Sequence, residues 1–351
     1  MVFNTLNFVK IKTKNMQRRE FLKSTSSMAL LSMVPISLFS QINQNYESLQ
    51  HSKLESEAFP TNIKNLASQT TTVKCKGKNV KIHAIQTGTV AVKSSHLTNH
   101  TAHFLTPIKI SLDKHYTEFM PIWVWVIEHP EGVIVIDTGE NAEVMNPNYF
   151  NPAGKFVAGY SKKNFKFNVT KENEIGFQLH KLGISNDRIK NVVLTHLHID
   201  HTGGIKDFKN VEFILNEREY KNPSGHFSEL VPNWFKPKTV NYKKDFIETF
   251  EQAFPLTKSE DLLLVPTGGH TKNHASVLFK TDEYDILFAG DVCYNQEQLI
   301  VDDLPGINVN YKETKKTYKK IKTYTKNNKL IFLPSHDANS GVRLINKTKL
   351  E

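Results

Sequence analysis

Residues 195–204 read THLHIDHTGG and bring four metal-ligand side chains into six positions: His196, His198, Asp200 and His201. A short apolar run precedes the stretch and predicts a buried strand that ends just before it. In an extended exit segment side chains alternate, so His196 and His198 point the same way. A turn into a helix near Asp200 lets Asp200 and His201 serve a neighbouring centre. The stretch therefore predicts a metal-binding turn at the end of a strand.

Three further ligand candidates, His270, Asp291 and His336, also follow short apolar runs. The two glycines before His270 let the backbone approach closely. Because α/β proteins usually place active sites at the carboxyl ends of strands, we expect four strand ends to present ligands at one edge of a sheet. His274 lies close to His270, but we expect it to pack against a helix.

Seven ligands exceed the needs of one catalytic ion and predict two divalent metal ions. Imidazole and carboxylate suit zinc best, with iron or manganese as alternatives. A metal pair makes a strong nucleophile from water at neutral pH, which predicts a hydrolase. The alternative is a protein that binds metal but catalyses no reaction, and the complete ligand set argues against it. The expected partition is His196, His198 and His270 on one ion and Asp200, His201 and His336 on the other, with Asp291 as the bridge.

Asp137 is predicted to orient a ligand imidazole by accepting its remaining N–H. The rest of the pattern predicts a mixed α/β architecture in one domain. We expect a strand, a turn and a second strand over 80–93, and a hairpin that joins 121–127 to 133–136. A helix should begin near Ile175 and stop at Gly183, and another should span 311–324. Further strands are expected at 191–195, 211–215, 262–266, 285–289 and 330–334.

The first 40 residues have the pattern of an export signal. Arg18 and Arg19 precede Glu-Phe-Leu-Lys, and the apolar stretch 28–39 follows. That stretch is too short to span a bilayer, which needs about 20 residues. We expect a twin-arginine signal over 1–40 and a periplasmic or secreted protein, without membrane insertion unless the signal stays uncleaved. Residues 41–72 are expected to form a linker or N-terminal arm, and 73–351 the hydrolase domain.

The composition is that of a globular protein, with 351 residues of which 39% are hydrophobic. The net charge of +10 suggests nucleic acid at first sight. Half of that charge lies in residues 1–40, which hold six Lys or Arg against one acid, and that segment is expected to be removed. We therefore expect no nucleic-acid partner. Cys75 and Cys293 are too few to build a disulfide framework and are expected to be structural.

These motifs resemble the metallo-β-lactamase superfamily, from residue 73 to about residue 345. The resemblance rests on the stretch 195–204 and on shorter matches around Asp137, His270, Asp291 and His336. It implies an αββα sandwich, in which two mixed β-sheets pack face to face between helices and the metals lie at one edge.

Within that superfamily the chain is similar to the N-acyl-homoserine lactonases. Tyr294 stands three residues after Asp291, and the strands at 80–93 and 121–139 also match. The resemblance implies a quorum-quenching lactonase in which Tyr294 hydrogen-bonds the lactone oxyanion or the substrate amide, and Asp200 relays a proton to the ring oxygen. Residues 272–273 read Lys-Asn where the family usually has Pro-Gly, so we expect a locally different turn. A homodimer is one expectation, since such lactonases are often dimers.

Other activities of the same fold are the alternatives. Phosphotriesterases are often exported, and other ester or thioester hydrolases share the metal pair. Glyoxalase-II-like thioesterases add a helical segment, whereas only fifteen residues follow His336. True β-lactamases lack a bridging aspartate, so Asp291 argues against that activity, and the nucleases carry extra domains and act inside cells. Loop aromatic residues are expected to line an acyl-chain pocket, and Trp123 and Trp125 to lie in the core; the loop residues are Tyr149, Phe150, Phe156, Trp234 and Phe235.

Overall fold

Two mixed β-sheets form the frame of the computed structural model, which describes residues 68–98, 106–244 and 249–351. Within these ranges the first sheet has eight strands and the second has six. The first contains β1 (Gln69–Cys75), β2 (Lys78–Val92), β3 (Met120–His129), β4 (Gly132–Ile136), β5 (Phe165–Asn168), β6 (Ile189–Val193), β7 (Glu212–Asn216) and β8 (Lys238–Val240). The second contains β9 (Lys243–Lys244), β10 (Gln252–Pro255), β11 (Leu262–Pro266), β12 (Ala275–Lys280), β13 (Asp285–Gly290) and β14 (Leu330–Pro334).

Both sheets mix parallel and antiparallel pairing. The first runs β1-β2-β3-β4-β6-β7-β8, with β5 beside β2, and becomes parallel from β4 to β8. The second runs β14-β13-β12-β11-β10-β9, and only β13 and β14 are parallel in it. The α-helices are α1 (Thr106–Leu112), α2 (Lys155–Asn164), α3 (Ile175–Lys181), α4 (Ile199–Thr202), α5 (Glu217–Lys221), α6 (Gln296–Ile300), α7 (Tyr311–Thr325) and α8 (Ser340–Asn346).

Three apolar clusters show how the layers pack. Successive residues of β11 point to opposite faces, so Leu262 and Leu264 join a cluster that contains residues of both sheets. Leu263 and Val265 instead pack with Ile321 of helix α7. A third cluster joins the other face of the first sheet to helix α3. The order of layers is helix, sheet, sheet, helix, as the resemblance implies.

Most predicted elements are confirmed. The hairpin of β3 and β4, the five later strands and the helix at 311–325 lie within a few residues of their expected positions. Trp123 and Trp125 are buried between the sheets, where Trp125 packs 5.4 Å from Phe288 of β13. Cys75 and Cys293 are both buried as free thiols.

Two predictions about the first strands were wrong. Residues 80–93 do not turn, because the register shift between Gln86 and Thr89 is absorbed inside one strand, β2. Gly88 has a φ of +123°, and a Cβ there would lie 2.6 Å from a methyl group of Val169, so only glycine fits this bulge. The sheet also begins at Gln69 and not at Val73. Residues 69–72 are polar and half exposed, as an edge strand allows, so their composition resembles that of a linker.

The export signal at 1–40 and most of the segment 41–72 lie outside the described residues. In the part of the chain that the structure describes, we find no helix with the length and apolar character needed to cross a membrane.

Candidate metal centre

The seven predicted ligands converge from the ends of strands in both sheets. β6 of the first sheet ends at Val193, and the stretch that follows carries His196 and His198 before helix α4 supplies Asp200 and His201. His270, Asp291 and His336 follow β11, β13 and β14 of the second sheet. The prediction of a single sheet edge was therefore wrong. Face-to-face packing brings the strand ends of the two sheets together.

Donor atoms of His196, His198, His270 and Asp291 form the first group and lie within 4.8 Å of one another. Nε2 of His270 is 2.9 Å from Nδ1 of His198 and 3.3 Å from Oδ2 of Asp291. Nε2 of His196 is 3.9 Å from the same carboxylate oxygen. All four side chains are at least largely buried, so three imidazoles and a carboxylate face one small volume.

Asp200, His201 and His336 form the second group. Nε2 of His336 is 3.3 Å from Oδ2 of Asp200, and Nε2 of His201 is 4.0 Å from Oδ1 of Asp200. Asp291 contacts this group as well: its Oδ1 is 3.1 Å from Nε2 of His201, and its Oδ2 is 3.4 Å from Nε2 of His336. The two groups have the composition that the sequence predicts, and Asp291 lies between them.

The arrangement fits divalent metal ions. Ligand atoms about 2.1 Å from a tetrahedral ion lie about 3.4 Å apart, close to the spacings in both groups. Buried polar atoms normally have hydrogen-bond partners. Within the described ranges, however, Nε2 of His196 is buried and has none, and Nε2 of His201 and Oδ1 of Asp291 lie 3.1 Å apart without the geometry of a hydrogen bond. A cation bound between these atoms would accept their lone pairs.

The outward nitrogen of three imidazoles is held by a hydrogen bond. Because the outward N–H is a donor, the other nitrogen presents its lone pair to the centre. Asp137 has the orienting role that the sequence predicts, and its carboxylate also accepts from the backbone N–H and the hydroxyl of Thr195. The three hydrogen bonds are His201 Nδ1 to Asp137 Oδ2 (2.8 Å), His336 Nδ1 to Pro121 O (3.0 Å) and His270 Nδ1 to Ile307 O (3.4 Å).

The charges of the site favour a cation. Burial lowers the pKa of His196 and His198, and that of His270 to about 3, so these imidazoles are neutral at neutral pH. Burial acts the same way on His201 and His336, but the carboxylates beside them, Asp291 above all, raise the pKa of both. The carboxylates thus attract positive charge to the second group.

His274, which was expected to pack against a helix, supports the backbone of Asp291. It lies just before β12, where Nδ1 is 2.9 Å from the Thr267 hydroxyl and Nε2 accepts the backbone N–H of Asp291 at 3.0 Å. A Cβ on Gly290 would lie 2.6 Å from this nitrogen, and Gly290 has a φ of +59°. The glycine is therefore required for the contact that fixes the backbone of Asp291.

Glu219 of helix α5 was not predicted, although it holds the loop that carries His270. It is fully buried, and its Oε2 accepts a hydrogen bond from the hydroxyl of Thr271, the residue after His270. Burial raises the pKa of Glu219 to about 7 against the backbone N–H groups of Asn273 and Leu197, which act to lower it. The side chain of Asn273 also donates to Arg218 O in the same helix. The Lys-Asn turn thus docks on α5, while His270 keeps its place in the first group.

A cavity of about 210 Å³ opens onto the metal centre. His198, Asp200, Asp291 and Tyr294 are exposed to it, and the ring of Tyr294 lies 5.9 Å from that of His336. Its walls are mainly apolar and include Val90, Val92, Phe150, Phe165, Phe167 and Phe227.

Of the loop aromatics expected in this pocket, Phe150 lines it. Phe156 is 68% exposed and points to solvent, whereas Trp234 is 37% exposed and does not line the cavity. Phe235 packs in the core against Phe213, and Tyr149 hydrogen-bonds to Asn141. The walls missed by the sequence pattern come partly from β5, a short strand in a region that reads as a loop.

The chain belongs to the metallo-beta-lactamase superfamily, whose family model matches residues 117–327. An N-acyl homoserine lactonase of Bacillus thuringiensis is 29% identical over 220 residues, which are 62% of this chain and 82% of the relative. The N-acyl homoserine lactonase AttM of Rhizobium radiobacter is 24% identical over 270 residues, which cover 74% and 94% of the two chains.

Solved structures show the same fold. An AiiA mutant of B. thuringiensis, with N-decanoyl-L-homoserine bound at its active site, aligns with a TM-score of 0.61 at 22% identity, over 80% of this chain and all of that one. The dizinc quorum-quenching lactonase AidC aligns with a TM-score of 0.54 at 16% identity, over 78% of this chain and 92% of AidC.

Replacing Glu219 by Gln should weaken metal binding about 10-fold or more, because the amide weakens the contact with Thr271 that holds the loop of His270. The measurement is the chelator concentration that removes half of the bound metal. Glu229→Gln, an exposed change of the same kind, is the control. Equal chelator resistance in wild type and Glu219→Gln would show that this contact does not support the site.

Proposed function

We propose that this protein is a dinuclear zinc hydrolase that opens the lactone ring of N-acyl homoserine lactones and so quenches quorum sensing. One observation carries the proposal: residues of both ligand groups line a mainly apolar cavity that Tyr294 also lines. The similar proteins named above as N-acyl homoserine lactonases support the choice of substrate.

The proposed ligands are the seven side chains described above. His196, His198 and His270 would hold one ion and Asp200, His201 and His336 the other, with Asp291 shared between them. A mixed set of imidazoles and carboxylates is typical of zinc. When bound, such a pair activates water and polarises a carbonyl oxygen.

Tyr294 and Asp200 are the proposed catalytic residues. Burial, together with the carboxylates of Asp291 and Asp200, raises the pKa of Tyr294 well above its ordinary value, so the phenol keeps its proton. Its O–H can then donate to the oxygen that becomes negative as the lactone carbonyl is attacked, or to the substrate amide. Asp200 faces the same cavity, and its carboxylate would carry a proton to the ring oxygen that leaves.

The apolar walls would accept the acyl chain. Phe150, Phe165, Phe167 and Phe227 surround the cavity beyond the polar end, so an alkyl chain would be removed from water there. The product of the reaction would be an N-acyl homoserine, an open hydroxy acid.

A comparison of rates on N-hexanoyl homoserine lactone and on an aryl phosphotriester tests the proposed substrate. We expect the metal-loaded protein to open the lactone with the higher kcat/KM, and a chelator to abolish the reaction. A higher kcat/KM on the phosphotriester would contradict the proposal and favour phosphotriester hydrolysis. If the metal-loaded protein hydrolyses none of these substrates, nor a thioester or a β-lactam, the proposal that it is a hydrolase is wrong.

Replacing Tyr294 by Phe should lower kcat on the lactone about 100-fold if the hydroxyl stabilises the oxyanion, since one good donor has an effect of that order. A rise in KM at constant kcat would instead place the hydroxyl on the substrate amide. Tyr220→Phe, at a half-exposed tyrosine distant in sequence from the ligand motifs, is the matched control. Unchanged kcat and KM in Tyr294→Phe would exclude Tyr294 from the mechanism.

We also propose that the protein is exported by the twin-arginine route, on the strength of Arg18, Arg19 and the apolar stretch 28–39. Changing both arginines to lysine should retain the protein in the cytoplasm, whereas the wild type should leave it. Cell fractionation with a cytoplasmic marker measures this. An identical distribution of the two proteins would contradict the proposal.

A further inference from the structure

Two polar residues that line the mainly apolar cavity each have a buried side-chain atom without a partner. His96 is 2% exposed and Ser161 is 1% exposed, and both line the cavity. Among the described residues, Nε2 of His96 and Oγ of Ser161 have no hydrogen-bond partner. Because an unsatisfied buried donor or acceptor destabilises a fold, such atoms in a cavity wall point to a partner that the ligand supplies.

His96 lies near the end of the cavity where the metal ligands are. It ends a 3-10 turn over Ser94–His96, and its carbonyl accepts the backbone N–H groups of Gly306 (2.7 Å) and Ile307 (3.2 Å). The carbonyl of Ile307 in turn accepts Nδ1 of His270 at 3.4 Å. One residue therefore stands between His96 and a proposed metal ligand.

Phe165 connects His96 and Ser161. The imidazole of His96 meets the ring of Phe165 edge to face, with the centroids 5.6 Å apart. Ser161 lies in helix α2, and its carbonyl accepts the backbone N–H of Phe165, the residue that follows the helix. Both polar residues thus adjoin one aromatic residue of the cavity wall.

The chemistry of the two groups suits a neutral oxygen. Burial lowers the pKa of His96 to about 4, so its ring is uncharged at neutral pH and offers either an N–H or a lone pair. The serine hydroxyl can donate or accept. Neither group carries the positive charge that would select an anion.

We propose that His96 and Ser161 form a polar subsite for an oxygen on the acyl chain of the substrate, close to the amide. The preferred substrates would then be N-acyl homoserine lactones with a 3-oxo or 3-hydroxy group. This rests on the proposed lactonase function, because a lactone bound at the metal centre would extend its acyl chain into the cavity that His96 and Ser161 line. A chain without that oxygen leaves both polar atoms unpaired in the complex.

The test compares hexanoyl, 3-hydroxyhexanoyl and 3-oxohexanoyl homoserine lactone, which have the same chain length. We expect the wild type to favour at least one oxygenated substrate by about 10-fold or more in kcat/KM, because its oxygen pairs with buried groups. In His96→Leu and Ser161→Ala this ratio should fall toward 1, and His96→Gln, which keeps a polar group, should retain part of it. His180→Leu, at an exposed histidine of helix α3, is the control and should keep the wild-type ratio.

Two outcomes would overturn the subsite. One is a wild-type ratio near 1. The other is an equal loss on all three substrates in His96→Leu and Ser161→Ala, which would mean that these residues bind the amide common to all three. If the wild type turns over none of the three lactones, the lactonase proposal fails separately. Calorimetric affinities for the same compounds then decide the subsite, and equal affinities would refute it.

Discussion

Asp291 is a buried carboxylate with three imidazole nitrogens within 3.4 Å of its oxygens, those of His201, His270 and His336. In the described part of the chain, Nε2 of His196 has no hydrogen-bond partner, and Oδ1 of Asp291 faces Nε2 of His201 at 3.1 Å without the geometry of a hydrogen bond. Such a concentration of unpaired lone pairs is unfavourable in a protein interior unless a cation offsets it. The site and the stability of the surrounding fold are therefore coupled through metal binding.

Side chains that are not themselves ligands hold the ligand residues in position. Asp137 fixes His201, His274 fixes the backbone of Asp291, and Glu219 holds the loop that follows His270. Each of these side chains belongs to a different segment of the chain from the ligand that it supports. The sandwich of two sheets is what brings the segments together, because the strands of both sheets end at the same place.

The sequence located four of the clustered side chains through a local signal, an apolar run that ends in a histidine or an aspartate. His196, His270, Asp291 and His336 could be located in this way without knowledge of the strand order. What was missed depends on contacts distant in sequence. Nothing near Glu219 shows that Thr271, 52 residues later, will donate to it. The assignment of 80–93 to two strands failed because a glycine inside a bulge and a glycine in a turn look alike in a sequence.

The walls of the cavity also depend on contacts distant in sequence, and only part of them could be predicted. Phe150 was expected there, whereas Phe165 and Phe167 belong to a strand of only four residues, which shows too little alternation to be recognised. Trp234 and Phe235 were expected to line it as loop aromatics, yet Trp234 is partly exposed outside the cavity and Phe235 lies in the core. Aromatic composition alone does not separate these three environments, since burial is decided by the packing of neighbouring elements.

The central claim is that seven side chains from two sheets together hold a pair of divalent ions. The most direct measurement is the metal content of the purified chain after loading with zinc and removal of excess ion, determined by elemental mass spectrometry. The account predicts about two ions per chain in the wild type and clearly fewer when Asp291, the shared carboxylate, is replaced by Asn. A wild-type chain that binds no ion, or an Asp291→Asn variant that retains the full complement, would contradict it.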